Sequence, residues 1–383
     1  MLGGNVTGLI FTYTFGGGGM IGESNIGALP FGAKYKVIDF TLSNMVNSGI
    51  KKVGIITDDN YGQLLEHVGS GEEWNLSHKR QGLFILPPYG SGYNCENSRI
   101  KSLHMAGNFL KKLQEEYILL VNCCTVCNMD YKGLFAQHER TGADITLACR
   151  FGRVPQNMPE PVTVDVGPDT RVRGMGLYTP PPQSKAYYSA GIMLIRRTLL
   201  MQLVADCISR SIYSFNDGLL LRNFSRLKTC AYTLHGFSKS IYSEKDYFEA
   251  NMSVLNENAR SCLFNCGRPV YTKTSDYMPT RYINGCRTVN SLVGDGCLVE
   301  GAVENSLLFS GVRVEKGASV KNCIVMPESI IKENCRLNYA IARSANDGSG
   351  FSNLEVRHLP MPPMAAVKSI KAAAPVRAGV LAI

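Results

Sequence analysis

The chain has 383 residues, enough for two domains with separate cores, and its 45% hydrophobic and 19% charged content is ordinary for a globular protein. No run reaches the ~18 consecutive apolar residues that span a bilayer, and no basic stretch precedes the first apolar run, so the expectation is a cytoplasmic protein without an export signal. The net charge of +9 comes from scattered Lys and Arg, with no polybasic run or aromatic-interleaved stripe. Small anions or an acidic partner subunit fit that distribution better than nucleic acid. Thirteen cysteines, an odd number, read as reduced thiols.

In chain order, residues 5–13 (NVTGLIFTY) predict a buried strand, broken by the glycines of 16–19. Residues 39–49 carry apolar side chains at helical spacing, with Gly49 as the stop. A strand follows at 51–57, a helix at 60–68, an amphipathic helix at 99–114 and a strand at 117–122. Residues 132–142 read as a helix and 143–149 as a strand. Near-continuous apolar strands alternating with helices predict an α/β domain with a mostly parallel sheet covered on both faces. Ligands of such sheets bind beyond the carboxyl ends of the strands. The loops after residue 13 and after residue 122 therefore matter most.

From Val293 the period changes. Val293 and Val299, then Leu308, Val314, Val320 and Met326, then Ile331 and Leu337 step by six within each group. Small or branched residues precede most of them by two: Cys297, Val312, Ala318, Ile324, Ser329 and Cys335. That is the hexapeptide pattern of a parallel β-helix, with irregular coils where the step breaks. After Arg343 the composition predicts an irregular tail.

The loop after residue 122 reads CCTVCNMD, with Cys124 and Cys127 at C-x-x-C spacing. A structural zinc site needs four ligands, and no second C-x-x-C or paired histidine follows. A redox pair would want a helix starting between the thiols, where Val126 stands. Buried structural thiols are the expectation, beside zinc and redox alternatives.

Several longer words are specific. PFGAKYKVIDFTLSNMVNSGIKKVGIIT (30–57), EEWNL (72–76), GLFILPP (82–88), NMDY (128–131) and YFEANMSVL (247–255) resemble the sugar-nucleotide pyrophosphorylases, in particular glucose-1-phosphate adenylyltransferase (ADP-glucose pyrophosphorylase). The resemblance runs over roughly residues 5–340. It implies a Rossmann-like nucleotidyltransferase domain followed by a left-handed β-helix. On that basis residues 1–258 are expected to form the nucleotidyltransferase-like domain, 259–285 a linker, 286–342 the β-helix and 343–383 the tail. Members make ADP-glucose and pyrophosphate from ATP and glucose 1-phosphate with Mg²⁺, and are typically tetramers.

The chemistry needs a cationic phosphate loop, carboxylates for the metal and a cation for the sugar phosphate. The family's Gly-Gly-Arg at the first strand's end corresponds to Phe11-Thr12-Tyr13-Thr14, and residues 1–33 contain no Lys or Arg. The glycine quartet is expected to be a flexible turn rather than a nucleotide cradle. The family's Lys-Pro further along corresponds to Ile26-Gly27. The metal-holding Asp of the family's Gly-Asp falls on Cys124, and the second metal Asp on Ser240. The glucose 1-phosphate lysine falls on Thr179, with Lys185 nearby as a surface residue. Asp130 reads as a helix cap. No catalytic and no metal-binding residue is therefore assigned, and no cofactor is expected for this chain, Mg²⁺ belonging to a catalytic partner.

Within the family this pattern resembles the non-catalytic regulatory (GlgD-type) subunits that some bacteria encode beside a catalytic chain. The resemblance implies a heterotetramer with a homologous catalytic subunit, or a homo-oligomer, acting in glycogen biosynthesis. Lys34 and Lys36 match positions near the family's effector site, so a phosphorylated metabolite is a possible effector there. Two alternatives remain: an active adenylyltransferase using displaced carboxylates such as Asp58, Asp59 or Asp130, and a stand-alone sugar-phosphate or nucleotide sensor.

Overall fold

The computed structural model describes residues 4–13, 24–58, 60–78, 81–88, 99–178, 181, 184–345 and 353–360, so the glycine quartet of 16–19, Asp59 and Thr179 lie outside the described residues. The chain divides into two compact units. One comprises Met1–Leu29, Val37–Ser243 and Ser261–Lys273, the other Pro30–Lys36, Glu244–Arg260 and Thr274–Ile383.

The chain opens with β1 (Val6–Phe11), followed by β2 (Pro30–Phe31) and β3 (Tyr35–Lys36), an antiparallel pair in the second unit. The first unit continues with α1 (Val37–Asn47), β4 (Val53–Ile56), α2 (Gly62–Val68), β5 (Leu83–Leu86), α3 (Arg99–Met105) and α4 (Gly107–Lys112). Next come β6 (Tyr117–Asn122), β7 (Thr125–Cys127), α5 (Tyr131–Thr141), β8 (Ile145–Gly152), β9 (Val162–Val166) and β10 (Val172–Leu177). Then follow β11 (Ala186–Arg196), α6 (Arg197–Ser209), β12 (Thr229–Thr233) and β13 (Ser238–Ser240). Helix α7 (Glu244–Ser253) belongs to the second unit, and α8 (Glu257–Phe264) runs from the second unit into the last segment of the first.

The large sheet has the order β10-β9-β11-β6-β1-β4-β5, with β8 added on β11 and β12 on β8. Its centre is parallel: β1 pairs with β4 and β6, and β4 with β5. The long strand β11 runs antiparallel to β6, β8 and β9, which makes the sheet mixed on that side. Strand β1 (VTGLIF) is buried throughout and β6 (YILLVN) is buried up to Asn122, which explains their unbroken apolar sequences. One core cluster joins Leu9, Phe11, Leu120, Leu147 and Met193.

Helix α1 is buried over nearly its whole circumference, from Val37 to Met45, and stops at Gly49 (φ 88°), as its sequence predicted. The amphipathic stretch 99–114 is not one helix. It breaks into α3 and α4 around Ala106, beside Gly107, where an interruption costs least. Helix α5 starts under its expected cap: the Asp130 carboxylate accepts from the Lys132 N–H at 2.9 Å.

In the second unit β14 (Arg281–Tyr282), β15 (Arg287–Val289), β16 (Leu292–Val293), β17 (Leu298–Val299), β18 (Ala302–Glu304) and β19 (Leu307–Leu308) lead into the coils. They continue through β20 (Arg313–Val314), β21 (Ser319–Val325), β22 (Ile330–Ile331) and β23 (Arg336–Ala345), and β24 (Asn353–His358) closes the series. The rungs pair in parallel. Three columns stack through the coils: Val293, Leu308, Val325 and Ala342; Val299, Val314 and Ile331; Val303, Val320 and Leu337. They are three inward faces of one β-helix, and the hexapeptide positions Val299, Leu308, Val314, Val320, Ile331 and Leu337 are all buried in it. Corners turn through left-handed backbone. Gly296 and Gly311 (both φ 74°) stack at one corner, and Asn290, Asn305 and Asn322 (φ 44°, 47° and 50°) at another. Glycine and asparagine adopt that conformation at least cost.

Two segments differ from expectation. The first rung, β14, already lies within 259–285, because Arg281 and Tyr282 have parallel partners in Leu298 and Val299. Within 343–383, Asn353–His358 forms a regular strand, held antiparallel along β23. Among the described residues no helix is long and apolar enough to cross a membrane.

Candidate functional site

The carboxyl ends of β1 and β6 lie side by side, with Phe11 in register with Asn122. Beyond β6 the chain turns and returns as β7, which pairs antiparallel with β13 so that Thr125 faces Ser240. The Thr125 and Ser240 hydroxyls are 3.0 Å apart, and the Ile241 N–H donates to the Cys124 carbonyl at 2.8 Å. Cys124 and Ser240, far apart in sequence, are thus brought to one spot at the ends of the central strands. The sequence expectation had paired them as the positions of two missing carboxylates.

Aromatic hydroxyls close around them. Tyr242 and Tyr13 hydrogen-bond the Cys124 thiol, and Thr125 adds a third contact. Burial pushes the Cys124 thiol above its ordinary range, with those bonds opposing in part. Burial, reinforced by Cys124, raises both Tyr13 and Tyr242 well above the usual phenol. Burial likewise lifts Cys123 well up and Cys127 to about 12. At neutral pH the cluster is therefore protonated and uncharged. Residues 125–127 form a strand rather than the start of a helix, and the thiols of 123, 124 and 127 are unpaired and buried.

One cation of this region is a residue that sequence reasoning missed. Arg99, the first residue of α3, donates to Asn122 Oδ1 at 3.3 Å and to Asn216 Oδ1 at 3.4 Å, and lies 4.4 Å over the Phe215 ring. Burial pulls its guanidinium below the ordinary value, while Tyr13, Cys124 and Tyr242 pull the other way. A signal existed: a cation at a helix N-terminus opposes the macrodipole and asks for a reason. Tyr13 and Tyr242 carried no such mark.

The divalent ion implied by the resemblance does not suit this donor set. Mg²⁺ takes carboxylate, carbonyl and water oxygens in octahedral array, whereas the side chains here are a protonated thiol, two phenols and two hydroxyls. Among the described residues no group of three or more His, Cys, Asp and Glu could hold a metal ion. The displaced carboxylates have other employment. Asp58 accepts from Asn25 Nδ2 at 3.2 Å, and Asp130 caps α5 and accepts from the Ser48 hydroxyl at 3.3 Å. Lys185 is exposed. Lys34 and Lys36 lie together on the β2–β3 hairpin of the second unit, Lys34 exposed and Lys36 half-buried.

Next to the thiol–tyrosine cluster the chain is pinned by amides. Asn44 Nδ2 donates to the Cys127 carbonyl (2.9 Å) and its Oδ1 accepts from the Met129 N–H (3.0 Å). The Ser48 hydroxyl accepts from the Tyr131 N–H at 2.8 Å. Asn128 donates to the carbonyls of Leu263 and Arg268 at 2.7 and 2.9 Å.

Comparison with known proteins gives two family matches. Residues 26–241 match the nucleotidyl transferase model, and residues 278–346 match the GlmU-like C-terminal hexapeptide model. The chain is 32% identical over 304 residues to glycogen biosynthesis protein GlgD of Geobacillus stearothermophilus, covering 79% of this chain and 78% of that protein. It is 29% identical to the GlgD of Bacillus subtilis strain 168, over 78% and 77% of the two chains. To the glucose-1-phosphate adenylyltransferase of Bacillus mycoides it is 31% identical over 335 residues, 83% of this chain and 85% of that enzyme.

Proposed function

The chain belongs to the nucleotidyl transferase family, among the glucose-1-phosphate adenylyltransferases and their GlgD-type relatives, and from that membership we propose that it serves glycogen biosynthesis as a regulatory, catalytically deficient subunit of ADP-glucose pyrophosphorylase. The observation that supports this reading is the proximity of Cys124 and Ser240. Ser240 pairs with Thr125, the residue next to Cys124, and neither of these positions, which the resemblance matches to metal-holding aspartates, carries a carboxylate. Phosphoryl transfer between anions without a metal or a loop cation forfeits most of its electrostatic stabilisation, at about 1.4 kcal/mol for each factor of ten. The Mg²⁺ chemistry is then the partner's.

Its contribution would be assembly with a homologous catalytic chain, packing better against that chain's active conformation than its inactive one. A ten-fold activation needs only about 1.4 kcal/mol of such preference. Lys34 and Lys36 are the proposed contacts for a phosphorylated effector.

Two measurements test this. Assayed alone with ATP, glucose 1-phosphate and Mg²⁺, the chain is expected to release no pyrophosphate. Turnover near ~1–10 s⁻¹, ordinary for enzymes, would establish the active-enzyme reading instead. Co-expressed with the catalytic homologue of its genome, it is expected to co-elute as a mixed oligomer with altered kcat or effector response. Separate elution at micromolar concentration, with the homologue's kinetics unchanged, defeats the subunit reading.

A further inference from the structure

A cavity of about 30 Å³ lies beside the carboxyl end of β6 and the bulged middle of β11, separate from the thiol–tyrosine cluster in what lines it. Its polar lining is Arg99, Asn122, Ser189 and Asn216, and its walls include Phe11, Leu120 and Met193. The volume holds one or two water-sized bodies. A bulge in β11 shapes the space. The register with β8 shifts between Ser189 and Ile192, and Gly191 (φ 74°) passes close to the Asn122 side chain, where an added Cβ would meet Asn122 at 3.0 Å.

The polar groups around this space are donors with little to donate to. Arg99 offers five N–H groups, of which the bonds to Asn122 and Asn216 use two. Both amides give their carbonyl oxygens to Arg99, so what Asn122 has left is its NH₂. Asn216 has already given its NH₂ to the Glu160 carbonyl at 2.9 Å. The Ser189 hydroxyl accepts from the Gly191 N–H at 3.3 Å, leaving its proton to donate. Among the described residues Arg99 has no carboxylate at ion-pair distance. Glu160 acts on it only through space, and its carboxylate accepts from the Ser214 hydroxyl at 3.0 Å. A cation set against apolar walls without a counter-charge is costly. Water would fill the volume but bring no charge, and its own two protons would find few acceptors.

We propose that this cavity binds a small monovalent inorganic anion of the chloride class, with the Arg99 guanidinium as counter-charge and the Asn122 amide and Ser189 hydroxyl as further donors. Charge selects it: the lining holds one cation, Arg99, and a second negative charge would find no second one. The site does not depend on the subunit reading, because it uses no residue of the Cys124–Ser240 pair.

The test uses the full chain in sodium chloride and in sodium gluconate at matched ionic strength. Chloride at about 0.1 M is expected to raise the thermal midpoint by about 2–4 °C over gluconate, as a ligand selective for the folded state does. In Arg99→Met the difference between the two salts is expected to vanish. Equal midpoints for the wild-type chain in both salts, or an equal rise with inorganic phosphate, would overturn the proposal. Should Arg99→Met not fold, crystals of the wild-type chain grown in bromide decide the matter. An anomalous peak within reach of Arg99 and Asn122 supports the site, and water density without one refutes it.

Discussion

After β6 the chain passes first through the neutral cluster of Cys123, Cys124 and Thr125 and then, within a few residues, through the amide-pinned stretch from Cys127 to Tyr131. Both stretches are buried, and both carry hydrogen bonds, but the bonds differ in kind. In the first, the bonds are mostly between side chains, Tyr13 and Tyr242 to Cys124 and Thr125 to Ser240, with Thr125 also donating to the Ala190 carbonyl. In the second, most are from side chain to backbone, Asn44 to Cys127 and Met129, Ser48 to Tyr131, Asn128 to Leu263 and Arg268, beside the side-chain pairs Ser48–Asp130 and Arg268–Asn128. A side chain that satisfies a buried N–H or C=O is required by the fold whatever the protein does, since the orphaned group costs about 1–3 kcal/mol. A side chain aimed into a cleft is required only by what happens there.

That contrast can be broken at several points. The largest effect is expected on the frame side, at Asp39, fully buried in α1 and 2.6 Å from His67 of α2. Asp39→Ala is expected to cost about 3–5 kcal/mol in urea unfolding, as removing one member of a buried pair does. A loss below about 1 kcal/mol would mean that α1 is not held as described. Asn44→Ala orphans the Met129 N–H and the Cys127 carbonyl together, and a loss of about 2–4 kcal/mol is expected in the same measurement.

A pH series sharpens the comparison from another side of α5. Burial, then Arg196, lowers His138 from 6.5 to about 4, and Thr146 holds its ring at 2.8 Å. A depressed histidine binds its proton more readily when unfolded. Its contribution is complete above about 6.5 and falls away as pH drops toward about 4. The chain is expected to lose on the order of 2–3 kcal/mol across that window through this group. His138→Gln should flatten that part of the stability curve, and an unchanged slope would contradict the assignment. The smallest effect belongs to the thiol–tyrosine cluster. Cys124→Ser is expected to cost no more than about 1–3 kcal/mol and to leave activation of a catalytic partner unchanged. Loss of a stoichiometric metal on that substitution would reverse the reading of the thiols.

Much of the frame was legible in the sequence because its signals are local and periodic. The apolar run of β6, the Gly49 stop and the Asp130 cap each act within a turn or a strand. The six-residue step of the coils was legible too, since each rung repeats the same inward position. What escaped depends on distant chain segments or on conformation. The break at Ala106 interrupts an intact apolar pattern. Strand β24 is defined by its pairing with β23 rather than by a strong alternation of its own. At the site, words resembling a family singled out Cys124 and Ser240. Their meeting could not be read there, because it requires β7 to pair with β13. Arg99 stood outside every matched word.

Strand β24 lies antiparallel along six residues of β23, from Ala340 opposite His358 to Ala345 opposite Asn353, and Arg343 is tied to Glu355 at 2.9 Å. A stack of parallel rungs is an open template, since each completed rung offers the next the same row of N–H and C=O groups. An antiparallel strand uses up that row without reproducing it. Elongation by a further parallel rung therefore finds no free edge along Ala340–Ala345. That part of the last coil is closed by a strand of the same chain.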